Sequence, residues 1–161
     1  MTVRRPTIAI GPKMPGWGSW DWLGEDLLVA LVGSFRTIPF EGLRIPKCDV
    51  AVFIKHLPEL PPETGGPPVV FVPVDRYGSP SEIDDDGSRL RRCSRIVVHC
   101  RMLGRYFSPF ASVEFLDHHV KYVSAMRTTY RSEGYVLWIG VRSNLPPLVE
   151  WANRTRLPAP L

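Results

Sequence analysis

The feature that most limits what this chain can fold into is a series of short apolar, β-rich runs: Thr7 to Ile10 (TIAI), Asp49 to Ile54 (DVAVFI), Val69 to Val74 (VVFVPV), Arg95 to His99 (RIVVH) and Tyr135 to Val141 (YVLWIGV). Runs of this length without polar alternation are expected of strands covered on both faces. Helical spacing fills the intervals. Leu23, Leu27, Ala30 and Leu31 recur on one face after a start near Ser19, and Gly33 stands where a left-handed C-terminal cap belongs. Ser79 to Cys93 reads as one helix, capped by Ser79 with Pro80 first, acidic early (Glu82, Asp84, Asp85, Asp86) and basic late (Arg89, Arg91, Arg92). Met102 to Phe107 is a short helix, and Leu148, Trp151 and Ala152 face a core on another, which Asn144 can cap. Arg36 to Phe40 and Val113 to Leu116 read as further strands, with Pro39 marking an edge or a strand end. Strands alternating with helices imply an α/β fold, Rossmann-like, with a mostly parallel sheet, right-handed crossovers and flanking helices.

At 161 residues the chain can bury one good core, so one complete domain plus a fragment is expected. The boundaries read as a Rossmann-like domain over 1–120, a polar crossover over 121–133, and the first βα unit of a second domain over 134–161. The formal charge of +4 is spread out; it would suit an anionic ligand or a peripheral membrane contact, and it falls short of a nucleic-acid signature. Cys48, Cys93 and Cys100 form no C-x-x-C pair and read as buried free thiols. The start, MTVRRPTIAI, is too short in apolar residues for a signal peptide, and no run approaches the ~20 residues of a membrane span. A cytoplasmic protein is the expectation.

In parallel sheets ligands bind beyond the carboxyl ends of the strands. The residues there are the glycine loop Gly11–Gly18, Lys55-His56, Asp75-Arg76-Tyr77, His99-Cys100 and Gly140-Arg142-Ser143. Gly16, Gly18 and Ser19 precede a helix N-terminus, which favours a phosphate or carboxylate, although Asp21 stands where a dinucleotide fingerprint would place its third glycine. His56 can act as a base or bond a hydroxyl, and Asp75 can bind hydroxyls or orient a base. Each also has a plain structural reading, His56 as a loop residue and Asp75 as part of a turn. Asp84-Asp85-Asp86 contains Asp-x-Asp but lies on a helix, where a solvated face is expected. Asp117-His118-His119 alternate sides and read as a crossover contact, so no metal is expected. Trp17, Trp20 and Trp22 ring the glycine loop as a ligand platform or as a core cluster.

In order and spacing, these pieces resemble the N-terminal half of GT-B-fold glycosyltransferases of the broad retaining group 1 kind. The glycine loop follows strand one. PPVVFVPVD stands where the family has a strand ending in His-Asp or His-Gly, CSRIVVHCRMLGRYF is similar to its next strand and helix, VEFLDHHVKYV sits at its Asn-Gly-Val-Asp crossover, and GYVLWIGVRSN is similar to the opening of its donor domain. The chain departs from the family at Val74, which replaces its histidine, and at His118-His119, which replace Asn-Gly. The family's Glu-x7-Glu region is absent from these residues, so the chain by itself is expected not to turn over. The resemblance implies hexosyl transfer from a nucleotide-sugar donor to an unknown acceptor, with no cofactor beyond the donor and with a partner or missing domain completing the site. It implies catalytic roles for His56 and Asp75, donor-phosphate roles for Gly16, Gly18, Ser19, Gly140, Arg142 and Ser143, and acceptor roles for Lys55, Arg76 and Tyr77. The competing expectation is a non-catalytic α/β binding or interaction domain, because fold alone never fixes activity.

Overall fold

The computed structural model describes residues 4–14, 16–60, 65–116 and 145–155. The chain divides into two compact units, Met1–Lys121 and Tyr122–Leu161. The first holds strands β1 (Thr7–Gly11), β2 (Arg36–Pro39), β3 (Val50–Ile54), β4 (Val69–Val72), β5 (Arg95–Val98) and β6 (Val113–Phe115). All neighbours pair in parallel, in the order β2-β1-β3-β4-β5-β6. The unit is thus an α/β fold with a parallel, Rossmann-like sheet flanked by helices. The chain leaves β1 toward β2 at one edge and returns past β1 to β3, so the direction of winding reverses between β1 and β3. Such a reversal opens a crevice at the strands' carboxyl ends.

Side chains alternate across the pleat and build two cores. One face carries Ala9, Ala51, Phe53, Val69, Phe71, Ile96 and Val98, packed with Ile83, Leu90 and Phe107 from helices α2 (Pro80–Asp85), α3 (Gly87–Leu90) and α4 (Arg101–Phe107). The other carries Ile8, Ile10, Val52 and Ile54 against Trp20, Leu23, Leu27, Leu28 and Leu31. Those last residues lie on a π-helical turn (Trp20–Gly24) that runs into α1 (Glu25–Leu31). A Cβ on Gly24 would come within 2.4 Å of the Trp20 ring, so glycine is what lets the indole seat in the core.

Several expectations need correction. Leu28 packs on the sheet while Ala30 is exposed, because the π turn rotates the following helix relative to a regular α count. Gly33 does not take a left-handed cap: α1 ends through Val32, and the Ser34 and Phe35 N–H groups close on the Leu31 carbonyl at 3.1 and 2.9 Å. β4 stops at Val72 rather than Val74, at Pro73, which has no N–H for the ladder. The Ser79–Cys93 segment begins as expected, with Ser79 accepting from the Glu82 N–H at 3.4 Å and Pro80 in the first turn, but it breaks at Asp86 into α2 and α3. Arg91 and Arg92 therefore lie in the turn after α3. Cys93 is buried, whereas Cys48 and Cys100 are only partly so.

In the second unit the described element is α5 (Leu145–Arg154), which contains the expected Pro146 and Pro147 in its first turn. Leu148 and Ala152 are half-buried, but Trp151 is exposed rather than core-facing. The expected strand Tyr135–Val141, the crossover 121–133, Asp117-His118-His119, Asn144 and the candidate residues Gly140, Arg142 and Ser143 lie outside the described residues. Among the described residues no helix is long and apolar enough to cross a membrane.

Candidate functional site at the strand carboxyl ends

β3 and β4 are each followed by a residue in a backbone conformation that L-residues resist. Lys55 has φ +63° and Asp75 φ +49°, and neither is glycine. Lys55 centres a three-residue turn closed by the His56 N–H on the Ile54 carbonyl at 2.7 Å, while its own N–H donates to Val72 at 2.8 Å. With a positive φ this is the rarer, strained form of such a turn. Asp75 follows a second tight turn in which the Val74 N–H donates to Val72 at 2.9 Å. Each left-handed residue is followed by one that faces the crevice: His56 after Lys55, Arg76 after Asp75.

The crevice has a volume of about 470 Å³ and is lined by Pro12, Lys13, Met14, Trp17, Gly42, Leu43, His56, Leu57 and Arg76. The Lys13 N–H donates to the Phe40 carbonyl at 2.7 Å, which fixes the start of the glycine loop against the end of β2. The approach is close enough that a Cβ on Gly11 would fall 2.7 Å from that same oxygen. Gly16, with φ +79°, turns the loop so that Trp17 comes over the ends of the strands. The Trp17 ring meets His56 edge-on with centroids 4.8 Å apart, and the Lys55 ammonium stands 5.4 Å from the Trp17 centroid.

Among the described residues no carboxylate lines this crevice, and three cations, Lys13, Lys55 and Arg76, surround or line it. Burial, then the positive charges of Arg76 and Lys55, hold the His56 imidazole below the usual histidine range. Its Nε2 is buried with no hydrogen-bond partner among the described residues, as is the Nε1 of Trp20 in the core.

The remaining sequence candidates separate. Gly18, Ser19 and Asp75 line a second cleft of about 400 Å³ with Trp22, Leu23 and Val74, so His56 and Asp75 face different cavities. Asp21 already brings negative charge to the first turn at Ser19. Tyr77 packs its ring on Phe107 at 5.7 Å and donates its hydroxyl to Asp86 at 3.1 Å; burial and that carboxylate raise its ionisation beyond the usual tyrosine range. Of the three tryptophans, Trp20 is core, while Trp17 and Trp22 each line a cleft. His99 and Cys100 line neither cleft.

Asp86 is the residue that sequence reasoning missed. It breaks the helix and gathers Tyr77, Arg76 at 3.6 Å and Arg89 at 3.2 Å, with Arg89 continuing to Glu59. The arrangement ties the Arg76 strand end to the 57–60 loop, where Arg92 also donates to the Leu60 carbonyl. The Asp86-Gly87 pair was the available signal, since such a dipeptide marks a break in a helical pattern. Lys13 and Met14 were foreseen only as part of the Gly11–Gly18 loop, and Gly42 and Leu43 were unforeseen as lining; Gly42, at φ +65°, is the turn that brings Leu43 over the crevice. Among the described residues no three His, Cys, Asp or Glu side chains gather as metal ligands would. Comparison of the chain with protein-family models, with curated proteins and with solved structures gave no match.

Proposed function

We propose that the Met1–Lys121 unit is the acceptor-side half of a GT-B glycosyltransferase and that the Trp17 crevice holds an anionic acceptor. The observation that carries this reading is the convergence of Lys13, His56 and Arg76 beneath Trp17 where the sheet reverses its winding. In the reaction the acceptor oxygen bonds to the anomeric carbon of the donor sugar as the bond to the nucleoside diphosphate breaks and the diphosphate leaves with the electron pair. The acceptor proton passes to the imidazole of His56, which its depressed pKa keeps neutral and receptive near pH 7. Arg76 and Lys55 offset the negative charge of the acceptor. On this reading the donor diphosphate belongs to Gly140, Arg142 and Ser143, and Asp75, Gly18 and Ser19 face a separate cleft.

A second reading, a binding domain without turnover, is favoured by the separation of His56 from Asp75. One competition experiment decides between site assignments. Inorganic phosphate bound at Arg76 is titrated with a nucleoside diphosphate while the Trp17 and His56 resonances are followed. The acceptor reading expects the nucleotide to leave phosphate in place and to lose affinity in Arg142→Ala. Stoichiometric displacement of phosphate by the nucleotide would make this crevice a nucleotide site and end the acceptor assignment.

A further inference from the structure

The lining of the crevice also restricts what its occupant can be. Sugars are recognised through hydroxyls, each needing a donor or acceptor to replace water, and proteins supply these mainly from carboxylates, amides and hydroxyl side chains. Among the described residues none of these side chains lines the crevice. The deficit extends beyond it: the chain contains no glutamine, and its asparagines, Asn144 and Asn153, both fall in the second unit. What the crevice offers instead is an apolar wall of Met14, Trp17 and Leu57 with cations at Lys13 and Arg76. Trp17 is 39% exposed, so its ring is available to a ligand.

We infer that the occupant is an organic phosphate with an apolar body, an aryl or alkyl phosphate whose body carries the single hydroxyl that gives its proton to His56, rather than a sugar phosphate. Two lining cations and Lys55 beside Trp17 match a dianionic head better than a single carboxylate, and the apolar wall receives the rest. Arg76 is the clamp and Asp86, 3.6 Å away, is its positioning residue. The inference rests on the acceptor reading above, because it names the class of acceptor for that same crevice.

The test is calorimetric titration of the full chain, at constant ionic strength, with inorganic phosphate, phenyl phosphate, hexyl phosphate and glucose 6-phosphate. Phenyl or hexyl phosphate should bind about tenfold tighter than inorganic phosphate, as expected for a buried apolar body, the better of the two telling a ring occupant from a chain. Glucose 6-phosphate should gain nothing over inorganic phosphate. Trp17→Ala should erase the apolar gain, so that phenyl, hexyl and inorganic phosphate bind alike. Arg76→Gln should weaken every anion, and Asp86→Asn should weaken every anion less, with the fold of each checked by circular dichroism. If glucose 6-phosphate binds tightest, or if all four bind alike, the inference fails while the crevice stands as an anion site. If none binds, inorganic phosphate included, the acceptor reading fails with it.

Discussion

The amino and carboxyl ends of the same strands are built very differently. At the amino ends, Asp49 accepts the Thr7 N–H at 2.7 Å and a forked pair from Arg4 at 3.0 and 3.1 Å, which ties β3 to the start of β1 through ordinary, satisfied contacts. At the carboxyl ends, Lys55 and Asp75 are held in left-handed backbone, and among the described residues cations gather without a lining carboxylate. Both ends belong to the same strands, which are packed on both faces, so the difference is not one of general packing quality. It teaches that the cost is concentrated where a ligand would repay it, and that the tight pairing of β1, β3 and β4 is what holds it there.

The largest effect belongs to what the two ends share. Phe71→Ala, in a fully buried position on β4, should lose about 3–5 kcal/mol of stability by chemical denaturation, and anion affinity should survive wherever the variant is folded. Arg76→Gln attacks the carboxyl end alone. It should lower phosphate affinity by about tenfold, roughly 1.4 kcal/mol, while Tm moves little, because Asp86 retains Tyr77 and Arg89. Lys55→Gly should move stability the other way. Relief of the left-handed strain exceeds the entropy glycine adds to the unfolded chain, for a net gain of about 0.5–1 kcal/mol, with weaker ligand binding. Asp75→Gly should gain less, since aspartate tolerates this region better than lysine.

The smallest effects are in pH, and they sharpen the contrast. Asp49 is held below the usual carboxylate range, chiefly by the Thr7 N–H, so the stability it lends is present above its unfolded pKa and is lost as pH falls through the folded value. His56 is also depressed, so the unfolded chain takes up its proton first. Stability should therefore fall as pH drops below about 6.5 toward the folded pKa, a slope that His56→Leu removes. Bound phosphate places negative charge beside His56 and so raises its folded pKa, and saturating phosphate should therefore flatten that slope. Denaturation between pH 7 and 5 with and without phosphate measures the difference.

The parallel sheet was legible because uninterrupted apolar runs such as VAVFI and VVFV suit strands buried on both faces, and because Ser79-Pro80 is a strong helix start. The convergence of Lys55, His56 and Arg76 was legible too, from topology: whatever follows a parallel strand lies at its carboxyl end. Three things were not. The π turn at Trp20–Gly24 shifted the buried face of α1 from Ala30 to Leu28, since helical periodicity presumes a constant residue count per turn. The break at Asp86 lay inside a charge pattern that reads as one helix and dipole, and only its tertiary partners Tyr77, Arg76 and Arg89 make it a hub. Finally, His56 and Asp75 occupy similar places at adjacent strand ends, yet the loop carrying Gly16, Trp17 and Gly18 lines two clefts with its neighbouring residues, and each candidate faces a different one.

Those two clefts have their own reporters. The indole N–H of Trp17 belongs to the cationic crevice and that of Trp22 to the cleft beside Asp75. In a nitrogen–proton correlation spectrum of the full chain titrated with phenyl phosphate, the Trp17 indole and the His56 ring should shift together and saturate with one affinity, and Trp22 should stay in place. A saturating shift at Trp22 with Trp17 unmoved would put the ligand in the other cleft and contradict the account.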